Sequence, residues 1–161
     1  MNTVRALATP RLDGRQSATA LAVQRGVRRL FAQLGAVTVT ELTLASGRRA
    51  DIVALSRDGI LTIVEVKSSV ADYRADRKWS EYRLFCDRFY FAIPETVPAE
   101  IMPEDAGLIL ADGFGAAFLR DAPLHGLAGA RRKAVTLRFA RSAADTLHAL
   151  ADPQAVFGEE F

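Results

Sequence analysis

The chain has 161 residues and a net charge of +2, enough for one hydrophobic core and too short for two independent ones. Half the residues are hydrophobic and 25% are charged, which excludes a disordered, collagen-like or coiled-coil chain. No apolar run approaches the ~20 residues of a membrane span, and the single cysteine, Cys86, excludes an internal disulfide and a Cys-rich zinc site, so any metal is expected on oxygen ligands.

Residues 1–16 mix Pro10, Gly14 and scattered Arg without a period and read as a flexible basic arm. From Ser17, an N-cap residue type, Leu21, Val23, Val27, Leu30, Phe31 and Leu34 keep helical spacing up to a stop at Gly35. Three segments rich in β-branched residues follow, Val37 to Leu44, Arg49 to Ser56 and Ile60 to Lys67, joined by the turns Ala45-Ser46-Gly47 and Arg57-Asp58-Gly59. They predict a three-stranded meander. Asp72 to Cys86 reads as a helix with Trp79, Tyr82, Arg83 and Cys86 on one stripe, and Phe89 to Ile93 as an apolar strand. After Pro94, Pro98 and Pro103, the segments Leu108 to Ala111 and Ala116 to Leu119 make two short strands, and a last helix runs from about Ala128 to Leu150. The domain is thus 17–152, with an acidic tail at 153–161.

Charge is sorted by region. Residues 1–34 carry +5, residues 35–119 carry −4, residues 120–150 carry +4 and the last eleven carry −3. Basic flanks around an acidic middle suit a polyanion held beside a carboxylate-bound cation, although charge alone is better described by solvated Arg faces of two helices.

Both meander turns have three residues with Gly in the third place, the position that takes a left-handed conformation in the common three-residue hairpin loop. Leu44 then faces Arg48, which puts Glu41 opposite Asp51, and Ser56 faces Ile60, which puts Asp51 opposite Glu65. Three carboxylates are expected in one row across strands about 4.8 Å apart, with Lys67 on the same face and Arg49 opposite it. Adjacent carboxylates repel one another, and a divalent cation is the simplest compensation. The bland alternative is a solvent-facing Glu41 and Asp51 with Glu65 paired to Lys67 at an edge, against which Ile63, Val64 and Val66 bracket Glu65 with apolar neighbours. His125 and His148 stand alone, and Cys86 reads as a packed thiol.

Asp51, thirteen intervening residues and Glu65-Val66-Lys67 resemble the D-x(n)-E-x-K signature of the PD-(D/E)XK nuclease superfamily, whose restriction-endonuclease-like αβββαβ core, a mixed α/β sheet flanked by helices, matches the predicted element order. More closely, the run from Glu41-Leu-Thr-Leu through Gly47-Arg-Arg-Ala-Asp51, Glu65-Val-Lys-Ser-Ser69, Asp72, Asp76-Arg-Lys-Trp79, Glu81-Tyr82 and Cys86-Asp87 resembles the MmcB family of bacterial DNA repair proteins. The resemblance implies a Mg²⁺-dependent DNA nuclease, with Mn²⁺ as a substitute. Asp51 and Glu65 would hold the metal, with Glu41 and the Val66 carbonyl completing its ligands, and Lys67 would act in catalysis. DNA contacts are expected from Arg49, Lys78, Tyr82, Arg131, Arg132 and Arg138. Many superfamily members place a Glu on the first helix, where this chain offers Gln24, and Lys78 to Tyr82 has the spacing of a Q-x-x-x-Y motif with Lys for Gln. The missing helix acid keeps two rivals open: a DNA-binding module without catalysis, and an interaction subunit of a larger repair complex. DNA and other repair proteins are the expected partners, a homodimer is compatible, and the expected location is the cytoplasm, at the nucleoid and away from membranes.

Overall fold

The computed structural model describes residues 16–155; the expected arm up to residue 15 and the tail from residue 156 lie outside the described residues. Helix α1 (Ala18–Gln33) leads into strands β1 (Val37–Thr43), β2 (Arg49–Leu55) and β3 (Leu61–Val66). Helix α2 (Val70–Ala75), a 3₁₀ segment (Trp79–Phe85) and β4 (Arg88–Ile93) follow, then β5 (Gly107–Ala111), β6 (Ala116–Arg120) and helix α3 (Gly129–Ala151). The six strands lie side by side in chain order. Pairs β1/β2, β2/β3 and β5/β6 are antiparallel, whereas β3/β4 and β4/β5 are parallel.

Helix α1 begins and ends where the sequence places it. The Ala20 N–H donates to Ser17 Oγ at 3.1 Å, and the chain leaves the helix through Gly35 at φ 75°. Val23, Val27 and Phe31 bury its apolar stripe against Ile52, Val64, Tyr90 and Ile109 on one face of the sheet. Gly26 sets the closest approach. A Cβ there would lie 2.2 Å from the Asp112 carbonyl oxygen and 2.4 Å from that of Gly115, so a side chain would push the helix off the β5–β6 turn. On the other face Tyr82, Phe85, Phe89, Phe91, Val135 and Phe139 form a second core with Val39, Leu42, Val53 and Ile63.

The single helix expected from Asp72 to Cys86 is broken in two. Asp76 sits in extended backbone (φ −93°, ψ 103°), and its Oδ1 accepts the Lys78 N–H at 3.0 Å. An Asp side chain that captures the N–H two residues on replaces the helical hydrogen bond there. The chain resumes as a 3₁₀ segment, whose three-residue period brings Phe85 into the core beside Trp79 and Tyr82.

The arginines of α3 also depart from expectation. Only Val135 and Phe139 of this 23-residue helix are buried, so apolar area anchors little of it and side-chain hydrogen bonds take over. Arg132 grips both oxygens of the buried Asp87 at 2.6 and 2.7 Å and the Gly59 carbonyl at 2.8 Å. Asp87 also accepts the N–H groups of Leu61 (2.8 Å) and Leu127 (3.1 Å). Burial pushes the Asp87 carboxyl up, but the Arg132 hydrogen bond and these donors outweigh it and hold it below the usual carboxylate range. Arg131 donates to the Leu84 carbonyl at 3.1 Å over the Phe85 ring, and Arg138 to the Thr43 carbonyl at 3.4 Å. These guanidinium groups fasten α3 to the body of the domain, and Arg132 has its donors committed there.

Replacing Asp87 by Ala strands the Arg132 guanidinium and two buried N–H groups. It is expected to lower the unfolding free energy by about 3 kcal/mol in urea titrations, with α3 loosened. A loss below about 1 kcal/mol would show that the clamp does not anchor the helix.

Candidate active site

The two turns set the registers that the sequence predicts. Leu44 N–H donates to the Arg48 carbonyl at 2.8 Å and Ser56 N–H to the Ile60 carbonyl at 3.1 Å, with Gly47 and Gly59 at φ 83° and 85°. Val39 pairs with Val53 and Leu42 with Ala50, and Ile52 pairs with Val64 and Val53 with Ile63.

A conflict is built into this arrangement. In a regular antiparallel strand, alternate residues direct their N–H and C=O groups to opposite neighbours. Arg48 and Ser56 are an even number of residues apart, yet the first bonds to β1 and the second to β3. Strand β2 must change phase once between them. The change falls at Glu41 and Asp51: Thr40↔Ile52 and Leu42↔Ala50 pair on either side, and Glu41 takes a left-handed φ of 57° with no ladder partner. Core membership switches at the same step, since Ala50 lies in the α3-side core and Ile52, two residues on, lies against α1.

Past this step carboxylates replace the β2–β3 ladder, which ends at Ile52↔Val64. The Asp51 N–H donates to Glu65 Oε1 at 3.1 Å, and the Val66 N–H donates to Asp51 Oδ2 at 2.8 Å. Burial first, then the charge of Glu41, push the Asp51 carboxyl up to about 6 against the opposing Val66 N–H and Lys67 charge. Burial, reinforced by the charge of Asp51, pushes Glu65 well above its ordinary value. Each carboxylate thus pushes the other toward its protonated form.

Lys67 is 5% exposed, and its Nζ donates to Asp76 Oδ2 at 2.9 Å. Burial raises Asp76, but the Lys67 hydrogen bond and charge, the Lys78 N–H and Arg48 together hold it below the usual range. Arg48 Nη2 stands 3.5 Å from Asp76 Oδ1, with its guanidinium over the Tyr82 ring at 4.6 Å. The turn after Lys67 is tied by Asp72, whose Oδ2 accepts the Ser68 N–H at 3.1 Å while Ser69 Oγ caps α2.

Asp51, Glu65, Val66 and Lys67 are thus brought together, with Val66 entering through its N–H. Glu41 is not drawn in as a third ligand. Its Oε1 accepts Gln16 Nε2 at 2.6 Å and its Oε2 pairs with Arg49 Nε at 2.5 Å, and among the described residues no three His, Cys, Asp or Glu side chains form a metal-holding group. Glu41 takes a left-handed φ of 57° and acts on Asp51 through its charge. Tyr82 is buried under the site, its hydroxyl donating to the Arg49 carbonyl at 3.0 Å, and Lys78 is exposed. Cys86 is packed on the Tyr82 carbonyl with its thiol pushed up to about 12 by burial.

Sequence reasoning missed Asp76, Arg48 and Gln16 as parts of the site. Asp76 was within reach: a lysine on a buried strand needs an anion, and the first acids after it are Asp72 and Asp76.

A mixed sheet with flanking helices and a carboxylate pair beside a lysine at a strand fork define an α/β protein with a restriction-endonuclease-like core. Residues 7–154 match the family described as DNA repair protein MmcB-like, and the chain belongs to that family. Among solved structures it is similar to the SPO1766 protein of unknown function from Silicibacter pomeroyi, with a TM-score of 0.86 and 39% identity over 90% of this chain and 99% of that one. No curated protein matches the chain. No helix among the described residues is long and apolar enough to cross a membrane.

The Asp51 shift has a defined sign. Between its ordinary value of 3.8 and its value of about 6, the folded chain binds more protons than the unfolded one, so this carboxyl's contribution to stability is present at acid pH and lost as pH rises through about 6. Asp51→Asn keeps an acceptor for Val66 and removes the charge. Its melting temperature is expected to exceed wild type at about pH 8 by a few degrees, with the gain shrinking toward about pH 4. An equal gain at both ends would contradict the raised value.

Proposed function

We propose that the chain is a Mg²⁺-dependent DNA nuclease of the PD-(D/E)XK superfamily that hydrolyses phosphodiester bonds in DNA repair. The observation that carries this reading is the buried, mutually repelling Asp51–Glu65 pair beside Lys67. Its residues fit a hard divalent cation. One oxygen of each carboxylate is engaged by a backbone N–H, and Asp51 Oδ1 and Glu65 Oε2 accept no hydrogen bond from the described residues. Mg²⁺ commonly takes one or two carboxylates and completes its shell with waters and phosphate oxygens, and Mn²⁺ accepts the same ligands. The Val66 carbonyl is the further oxygen implied by the family resemblance. When bound, the cation supplies water activation near neutral pH and charge compensation at the phosphate.

The remaining work falls to the chain. Lys67, fixed by its bond to Asp76, directs an N–H toward the attacking water and the developing negative charge. Asp76 is a positioning residue. Tyr82 supports the Arg49 backbone, while the exposed Lys78 is left for a phosphate. The ion pair of Arg49 with Glu41 favours a second reading, a nuclease-fold DNA-binding module or repair subunit that does not cleave, because it occupies the third carboxylate.

Cleavage of a panel of labelled duplex, flap and branched DNAs, with and without Mg²⁺ or Mn²⁺, separates the two. Cation-dependent cutting is expected from wild type. Asp51→Ala and Glu65→Ala are expected to reduce it at least a hundredfold with DNA affinity retained, because water activation is lost while phosphate contacts persist. Wild-type rates in either variant would falsify the assignment, and binding without cutting under every condition would support the second reading.

A further inference from the structure

Arg132 is committed to Asp87, and outside α3 a further group of outward-facing cations lies on α1. An open groove of about 480 Å³ runs between α1 and β1, lined by Leu21, Gln24, Arg25, Arg28, Arg29 and Thr38 among others, and no acidic residue lines it. Arg25, Arg28 and Arg29 are all exposed. Arg28 spends one donor, Nε, on Thr38 Oγ1 at 3.0 Å, which fixes its stem across the groove and leaves the two terminal nitrogens facing out. Arg29 is braced through Nη1 on the Phe114 carbonyl at 3.0 Å. Arg25 makes no ion pair or hydrogen bond with the described residues.

The groove shares strand β1 with Glu41, whose charge acts on Asp51. At its far end Arg28 touches β1 at Thr38, and near the start of α1 Gln16 touches β1 at Glu41, the residue beside Asp51. Thr38 and Glu41 are three residues apart, ~10 Å of extended strand, or about three nucleotide steps at a 3.4 Å rise. Strand β1 is the outer strand of the sheet, so nothing else in the sheet lies beyond it on that side.

We propose that the α1–β1 groove is a track for the phosphodiester backbone of DNA, with Arg25 and Arg28 as its principal phosphate contacts and Gln24 and Thr38 as neutral hydrogen-bonding partners. This rests on the nucleic-acid reading of the chain and names the surface that holds the strand. Exposed guanidinium groups with free terminal donors match phosphate oxygens in pairs, and Arg28 is already braced on Thr38. The set carries no aromatic stacking platform, and backbone phosphate contacts are independent of sequence.

The test measures anisotropy of a labelled 20-base-pair duplex against salt concentration, without divalent cation, so that cleavage plays no part. Arg25→Gln with Arg28→Gln is compared with Lys133→Gln with Arg141→Gln, a pair of exposed α3 positions that removes the same charge. Each lost phosphate contact reduces the slope of log K against log salt by ~0.9, so the α1 pair is expected to flatten it by about 1.8 and to weaken binding alike on unrelated sequences. The α3 pair is expected to leave the slope near wild type. Equal slopes for the α1 variant and wild type, or equal flattening by both pairs, would overturn the track and leave the nuclease reading intact. Wild type that fails to bind DNA would overturn both. Melting temperatures within a few degrees of wild type show that each variant is folded.

Discussion

Strand β2 must serve two neighbours whose registers are set by turns of the same length, and a regular strand cannot do so without changing phase. The three-residue turns at Gly47 and Gly59 put Arg48 and Ser56 on equivalent positions that bond to opposite sides. The change of phase at Asp51 opens the β2–β3 ladder and leaves two backbone N–H groups facing carboxylates. Buried donors need acceptors, so Asp51 and Glu65 complete the fold as well as forming the candidate site. A left-handed Glu41 is the other half of the same irregularity. Strain is concentrated beside the site and held by the unstrained ladder on both flanks.

Electrostatics then divides the acidic residues by role. Asp87 and Asp76 have cationic partners and are held ionised, which suits groups that fasten α3 and orient Lys67. Asp51 and Glu65 have backbone donors but repel each other, and burial raises both. Pairs of carboxylates whose environments push them toward retaining a proton mark functional sites more often than structural ones. Lys67 lies between the groups, bonded to Asp76 and acting on Asp51 and Glu65 through its charge.

Much of this was legible in the sequence because it is local. Ser17 and Gly35 mark the ends of α1, and the two Gly turns fix which residues face each other across the meander, including Asp51 and Glu65. Those same turns imply the phase change, but its position depends on how both cores are filled, which alternation within one strand does not reveal. The helix break at Asp76 was hidden for a similar reason. Residues 72–86 carry good helical periodicity, and only the distant Lys67 and the nearby Lys78 N–H give Asp76 a reason to leave it. The arginines of α3 look solvated in sequence, and the acceptors that engage them, Leu84 and Asp87 on one side and Thr43 on the other, come from two separate parts of the chain.

The proposed function requires a divalent cation to displace a proton that burial and mutual repulsion favour on Asp51 and Glu65. Calorimetric titration of Mn²⁺ into the protein near pH 6, repeated in buffers of different ionisation enthalpy, measures the protons released on binding. The account predicts saturable binding with release of up to one proton, and loss of both in Asp51→Asn. Binding without proton release, or undiminished binding in the variant, would contradict it.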